Sequence, residues 1–272
     1  MLLENKVAIV TGGAKGMGRG IALKFAQEGC DVVVNALHIE GARKVADEVA
    51  ALGRRSLAVK ADISNSAEVQ NMVDETIKKF GKIDILVNNA GGVMGVQGGN
   101  IDTATEEDWD KILNVNLKGA FLVCKAVIPH MKKKKYGKII NLSSMGAVNP
   151  SVSVLHYHAA KAGVLGLTLN LAFELAPQNI YVNAIVPGPV ETTFWDALQP
   201  PGPERDAFFA AMTKKEIPLG RMGTPEDIAG PALFLASGLS DYVTGQIIYV
   251  AGGQPLSSHA ATFLSSNESS GG

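Results

Sequence analysis

Short apolar runs punctuate this chain, and between them apolar positions recur every three to four residues. Val7–Val10, Val32–Asn35, Ser56–Lys60, Ile83–Asn88, Lys138–Leu142, Ile180–Ile185 and Gln246–Val250 read as strands. The helical period predicts helices near 17–28, 40–52, 66–80, 105–131, 155–176 and 225–236. Ser64-Asn65-Ser66 and Thr224-Pro225-Glu226-Asp227 have the make-up of helix starts with acidic first turns. Strands that are apolar throughout, rather than alternating, suit a parallel sheet covered on both faces. The expected architecture is α/β: one doubly wound sheet of about seven parallel strands with helices on both faces.

Two regions break the rhythm. Residues 187–224 open on Pro187-Gly188-Pro189, contain Gln199-Pro200-Pro201-Gly202-Pro203, and carry Phe194, Trp195, Phe208, Phe209 and Met212. That composition fits an apolar flap over a site, or equally a surface excursion or a subunit contact. Residues 255–272 are polar and end in Ser- and Gly-rich sequence, as expected of a flexible tail. No linker interrupts the chain before Gly253, so residues 1–254 are expected to form a single domain.

Composition narrows the function classes. The chain has 272 residues, 46% of them hydrophobic and 19% charged, with a formal net charge of −1. A core needing no staples is feasible at this size, and no general basic field supports nucleic-acid binding. The basic run Lys132–Lys135 follows a helical stretch and reads as a solvated cap on its negative end. Cys30 and Cys124 are the only cysteines, in apolar surroundings, which predicts buried free thiols in a reduced compartment. No cluster has metal-ligand spacing. Met1–Lys6 lead into the first strand without an apolar leader, and no stretch reaches roughly 18 uninterrupted apolar residues. A cytoplasmic protein that does not enter a membrane is the expectation.

The chemistry begins after the first strand. Thr11-Gly12-Gly13-Ala14-Lys15-Gly16-Met17-Gly18 links it to the first helix. Glycines 12, 16 and 18 allow a tight turn and close backbone approach, and the helix N-terminus offers N–H groups to a pyrophosphate. Such a turn can be purely conformational, but its place after the first strand of a parallel sheet favours a dinucleotide. The Gly-Lys-Ser/Thr ending of a P-loop is missing. The second strand ends Val34-Asn35-Ala36-Leu37-His38, with no carboxylate before Glu40 to hold a ribose or repel a 2′-phosphate. Lys15 supplies a cation for that phosphate. NADP(H) is therefore expected over NAD(H), which stays possible.

Tyr157 and Lys161 stand four residues apart in Tyr-His-Ala-Ala-Lys, on one face of the expected helix. A cation beside a phenol, whose ordinary pKa is roughly 10, pulls it toward a useful acid–base range. The spacing is also that of an amphipathic pair with Lys161 snorkelling to solvent. Ser144, at the end of a strand, is placed to present a hydroxyl to the same reacting atom.

Together, Thr-Gly-x3-Gly-x-Gly at 11–18, Asn88-Asn89-Ala90-Gly91, Asn116, Ser144, Tyr157 and Lys161 resemble the short-chain dehydrogenase/reductase family. The resemblance runs from Lys6 to about Gly253. It takes in Pro187-Gly188-Pro189-Val190-Glu191-Thr192, Ile217-Pro218-Leu219-Gly220-Arg221 and Tyr242-Val243-Thr244-Gly245-Gln246. Among branches, the chain looks most like 3-oxoacyl-carrier-protein reductases and related ketone reductases. The resemblance implies a Rossmann-like fold, a homotetramer built through the long central helices, and a carbonyl or alcohol substrate of small-molecule size.

It also implies residue roles. Tyr157 would give a proton to a carbonyl oxygen or take one from an alcohol, and Lys161 would lower the phenol's pKa and bond the nicotinamide ribose. Ser144 would stabilise the substrate oxygen, and Asn116 would hold a water that relays protons to Lys161. Asn114 competes with Asn116 as helix-surface polarity, and Ser143 with Ser144; the thirteen-residue interval to Tyr157 selects Ser144. Gly12, Lys15, Gly16, Met17 and Gly18 would cradle the cofactor. Asp62, beside Ile63, would meet the adenine amino group, or serve as a turn acid. Asn89 and Ala90 would line a ribose, although Asn88 and Asn89 equally suit tying strands together. Val190 and Thr192 would lie beside the nicotinamide, where Thr192 also suits a plain turn. His156 and His158 are expected to pack away from the chemistry or face solvent.

The leading expectation is a reversible ketone reductase/alcohol dehydrogenase, with a 3-oxoacyl-carrier-protein reductase as its narrower form. A non-redox lyase or isomerase, or a dinucleotide-sensing protein on the same fold, are the alternatives. Arg205, Lys214 and Lys215 either receive a phosphopantetheine-linked substrate at the entrance or form a solvated helix face.

Overall fold

The computed structural model describes residues 1–254, apart from Gln97, Val152, Ser153 and Gln199. The tail expected at 255–272 lies outside the described residues. Seven strands form one parallel sheet: β1 (Val7–Val10), β2 (Asp31–Ala36), β3 (Ser56–Lys60), β4 (Ile85–Asn88), β5 (Gly137–Leu142), β6 (Ile180–Pro187) and β7 (Ile247–Val250). Their order is β3-β2-β1-β4-β5-β6-β7, and every pairing is parallel. This is the Rossmann-like doubly wound sheet expected from the apolar runs.

The helices are α1 (Gly16–Gln27), α2 (Ile39–Ala51), α3 (Ser66–Phe80), α4 (Glu106–Leu113), α5 (Gly119–Lys134), α6 (Leu155–Leu175), α7 (Pro203–Glu216) and α8 (Pro225–Ala236). Successive strand residues point to opposite faces, so the uninterrupted strands feed two separate cores. Ala8, Val10, Val32 and Val34 pack with Ile21 and Phe25 of α1, Val45 and Val49 of α2, and Ile228 of α8. Val7, Ile9, Val33 and Ile139 pack on the other side with Met72 of α3, Val123 and Val127 of α5, and Leu175 of α6.

Local chemistry sets the boundaries. Asn65 caps α3 by accepting from the Ala67 and Glu68 N–H groups, and Gly81 ends it in a left-handed conformation. Thr224 and Asp227 close a capping box at the start of α8, with Pro225 at its first position. The long helix expected at 105–131 runs through one π-helical turn, Asn114–Lys118, between α4 and α5. The 187–224 excursion contains a helix that periodicity does not reveal: α7 buries only Met212, against a small cluster with Ile217 and Met222.

Glu106–Lys134 and Leu155–Gln178 are each long and apolar enough, by length and composition, to cross a membrane. Here they lie against the sheet, and Val123, Val127, Met131, Ala172 and Leu175 among their buried residues belong to its core. Phe121, Leu169 and Phe173 remain exposed along them. The strand order reverses between β1 and its two neighbours, β2 and β4, which opens a crevice at the carboxyl ends of β1 and β4.

Candidate active site

Residues 11–18 leave β1 directly into that crevice. Thr11 Oγ1 donates to Val87 O and accepts from the N–H groups of Asn89 and Ala90, at 3.0 and 3.1 Å. Asn89 Nδ2 donates to Thr11 O and Gly12 O at 2.9 and 3.1 Å. The loop is thus fastened to the end of β4, and its glycines are obligatory. A Cβ on Gly18 would sit 2.4 Å from Gly12 O, and one on Gly12 would sit 2.8 Å from Ala90 Cα. The first turn of α1 carries no acid, and Lys15, its exposed N-cap, supplies no capping side chain. Its N–H groups are therefore available to an anion. A dinucleotide pyrophosphate fits this cradle.

At the expected adenosine end, Leu37 and His38 are exposed and no acid stands at the end of β2; Glu40 follows in the first turn of α2. One Asp62 oxygen accepts from Ser64 N at 2.8 Å and Ser64 Oγ at 2.7 Å, the turn role, while its other oxygen makes no such bond. Ile63 is buried against Gly119. Asn88 Nδ2 donates to Asn141 Oδ1 at 2.9 Å, joining β4 to β5. Both asparagine amides are thus spent on tying, and Asn89 has no amide N–H left for a ribose. Thr192 touches the loop, its methyl 3.3 Å from a Cβ placed on Gly16, and its hydroxyl accepts from Phe194 N. Val190 is buried and pairs with Gly223. Met17 packs on the first core.

The second half of the site lies beyond β4 and β5. Ser144 opens a short 3-10 turn, Met145–Ala147, and its Oγ accepts from Gly146 N at 3.1 Å. Tyr157 and Lys161 occupy successive turns of α6, both buried. The Ser144 hydroxyl is close enough to the Tyr157 phenol to favour its ionised form. Lys161 Nζ lies 5.7 Å from the phenol ring centre and donates to Leu142 O at 3.0 Å. Ser143 instead donates to the backbone carbonyl of Lys161 at 2.8 Å, so of the two serines only Ser144 faces the phenol. Asn116, in the π-helical turn, clamps Gly92 in both directions: its Nδ2 donates to Gly92 O and its Oδ1 accepts from Gly92 N. A Cβ on Gly91 would lie 2.5 Å from Asn116 Oδ1 and 3.2 Å from Lys161 Nζ, so those two side chains converge on it. Asn114 is only half-buried.

Burial dominates the electrostatics. It raises the Tyr157 phenol to about 12, against a smaller downward pull from the Ser144 hydrogen bond. It lowers Lys161 to about 8, since no carboxylate compensates the desolvated ammonium. The expected lowering of the phenol by Lys161 is therefore corrected: burial of Tyr157 raises it, and the opposing pull comes from Ser144 rather than Lys161. The phenol is held in the protonated form, which is the form that can donate.

His156 is fully buried against Gly99 with no partner for its Nε2, and His158 packs on Gly146. Sequence reasoning missed how closely the flap approaches. Phe194 lies 5.7 Å, centre to centre, from the Tyr157 ring. Val93, Val96 and Val154 join the same cluster, with Met94 and Leu198 packed on it. The Gly-rich run 91–99 was the available signal.

Comparison with known proteins agrees with this arrangement. Residues 12–254 match the family described as enoyl-(acyl carrier protein) reductase. The (2S)-[(R)-hydroxy(phenyl)methyl]succinyl-CoA dehydrogenase subunit BbsD of Thauera aromatica is 45% identical, over 94% of this chain and 99% of its own. A 3-oxoacyl-acyl-carrier-protein reductase of Thermotoga maritima is 40% identical, over 93% and 99%. A short-chain type dehydrogenase/reductase from Mycobacterium marinum superposes with a TM-score of 0.84 at 36% identity, covering 93% of this chain and 96% of its own.

Proposed function

Because the chain belongs to the short-chain dehydrogenase/reductase family, we propose that it moves hydride reversibly between NADP(H) and a ketone or secondary alcohol. The observation that carries this reading is the burial of Tyr157 and Lys161 on successive turns of α6, with the Ser144 hydroxyl acting on the phenol, beside an anion-ready loop. Residues 11–18, with Val190 and Thr192, hold the dinucleotide, which supplies or takes up the hydride. In reduction, Tyr157 donates its phenolic proton to the carbonyl oxygen. Ser144, whose oxygen accepts the Gly146 N–H, turns its hydroxyl proton from the phenol to the substrate oxygen and stabilises the charge growing there. Lys161 bonds the nicotinamide ribose and offsets the phenolate left behind, and Asn116 anchors the path by which the proton is replaced. Tyr157→Phe should lower kcat by at least about 1,000-fold while dinucleotide affinity changes less than threefold. Retained turnover sinks the acid role.

NADP(H) is favoured over NAD(H) by the missing carboxylate at the end of β2 and by the exposed Lys15. Turnover with each cofactor tests it, and a preference for NADH overturns it. Absorbance at the nicotinamide band in the presence of substrate also separates redox from lyase, isomerase or sensing roles.

A 3-oxoacyl-carrier-protein reductase is the second reading, favoured by the name of the Thermotoga relative; the matched family's description shares with it only the acyl carrier protein. Lys214 and Lys215 are exposed on α7 for an acidic carrier, whereas Arg205 is paired with Asp196 at 2.7 Å. A cytoplasmic homotetramer completes the proposal. Exposed Phe121, Leu169 and Phe173 on α5 and α6 support it, as does the family likeness. Light scattering tests it.

A further inference from the structure

Beside the Tyr157 phenol the flap and the segment after β4 contribute an apolar, largely aromatic surface. Phe194 and Tyr157 meet at 5.7 Å with their rings tilted by 44°. Trp195 then meets Phe194 edge-on at 5.7 Å and Phe209 at 5.2 Å, so aromatic rings run continuously from the acid to α7. Trp195 spends its one polar group on Val190 O, at 2.9 Å. Met94 faces Phe194 across Gly92: a Cβ on that glycine would lie 3.4 Å from Met94 Cε and 3.9 Å from the Phe194 ring. Phe194 and Met94 are only half-buried, although both pack against the fully apolar Val93, Val96 and Val154.

The charges of the site lie elsewhere. Lys161 donates to Leu142 O on the side of Asn116 and Gly91, and Arg205 is held by Asp196. A carboxylate placed against Phe194 would lose its hydration and gain no described partner. A ring placed there meets the Phe194 ring and the Met94 thioether, both favourable contacts for an aromatic group.

We propose that the substrate carries an uncharged apolar group, by preference an aromatic ring, on its carbonyl carbon, and that Phe194 and Met94 hold it. This rests on the ketone-reductase reading above and names the substrate class for it. Phe194 and Met94 then set which substituent is accepted, while Ser144 and Tyr157 fix the oxygen.

The test uses methyl ketones that differ in one substituent: acetophenone, cyclohexyl methyl ketone, butanone and pyruvate, each with NADPH and the full chain. Acetophenone should exceed pyruvate by at least about 100-fold in kcat/KM and should exceed cyclohexyl methyl ketone. Phe194→Ala should cut the acetophenone-to-butanone ratio by about tenfold or more. Pyruvate within threefold of acetophenone, or an unchanged ratio in Phe194→Ala, overturns the proposal and leaves the reductase reading standing. If none of the four is reduced, the reductase reading fails for ketones of this size. The pocket is then read by acetophenone quenching of bound NADPH fluorescence. Saturable quenching that Phe194→Ala weakens sustains the pocket, and no quenching overturns it.

Discussion

Two glycine-rich segments meet at the crevice of the sheet, 11–18 after β1 and 91–99 after β4, and they use their glycines for opposite purposes. In the first, glycine is demanded by contact: Cβ atoms on Gly12, Gly13 and Gly18 would all fall within 3.0 Å of other atoms. The loop is also tied down by Thr11 and Asn89. In the second, Gly91 is crowded by Asn116 and Lys161 and Gly99 by His156, but a Cβ on Gly95 would meet nothing within 4 Å. Beyond the clamp of Asn116 on Gly92, Val93 and Val96 are buried beside the apolar wall, and the open position between them is Gly95. One loop is built for a constant ligand. The other leaves room for a variable one.

The sharpest way to break this contrast is Gly18→Ala. The added methyl would press on Gly12 O, backbone that cannot swing aside, and on the amide of Asn89 that fastens the loop. Overpacking of this kind costs about 1–3 kcal/mol, which as dinucleotide affinity is roughly 5- to 150-fold. Titration of NADPH by fluorescence reads it. Affinity within twofold of wild type would show that the first loop is as open as the second.

The junction of the two segments, where Lys161 abuts Gly91, predicts a pH effect. Lys161 has a folded pKa of about 8, below its ordinary 10.5, so between those values the unfolded chain holds more protons and stability rises with pH. Below about pH 8 the ammonium is charged in both states, and burying it costs the most. Lys161→Met should therefore flatten the rise in denaturant-derived stability between about pH 8 and 10.5, relative to wild type. Activity runs the other way. Tyr157, at about 12, keeps its proton over this range, so reductive kcat/KM should fall above about pH 8 as Lys161 loses its charge. A profile flat to pH 10 contradicts the cationic role.

The same contrast governs what could be read from sequence. The strands were legible because the sheet is covered on both faces, which gives each strand a short apolar run; Val7–Val10 and Ser56–Lys60 have the observed bounds. Helix α3 was legible for a different reason, its Asn65 cap and terminal Gly81. Helix α7 was not, because it rests on a small satellite cluster and shows no apolar stripe. Its only signals were Pro203 and acids in its first turn and Lys214 and Lys215 in its last. The π-helical turn was hidden too, since the bonds of Asn116 to Gly92 span 24 residues. The residues of the candidate site were visible as a pattern of types and spacings. Their electrostatics were not: the phenol goes up rather than down because of burial, which no spacing encodes. The approach of Phe194 to Tyr157 depends on how the flap folds back, and it too had no local signal.

The smallest expected effect tests the second loop itself. Gly95 has φ of +77° and open space around its missing side chain, so Gly95→Ala meets no clash and carries only the cost of a left-handed backbone, about 1–2 kcal/mol. Part of that is returned because alanine restricts the unfolded chain. If the segment is as open at Gly95 as its contacts indicate, it can also shed strain by shifting φ, at the expense of where Met94 and Val96 sit. Gly95→Ala should then lower stability by less than about 1 kcal/mol, leave NADPH affinity within twofold, and move KM for acetophenone by about two- to fivefold with little change in kcat. A loss of NADPH affinity comparable with that of Gly18→Ala would mean that the second segment is coupled to the cofactor cradle and that the division between the two loops does not hold.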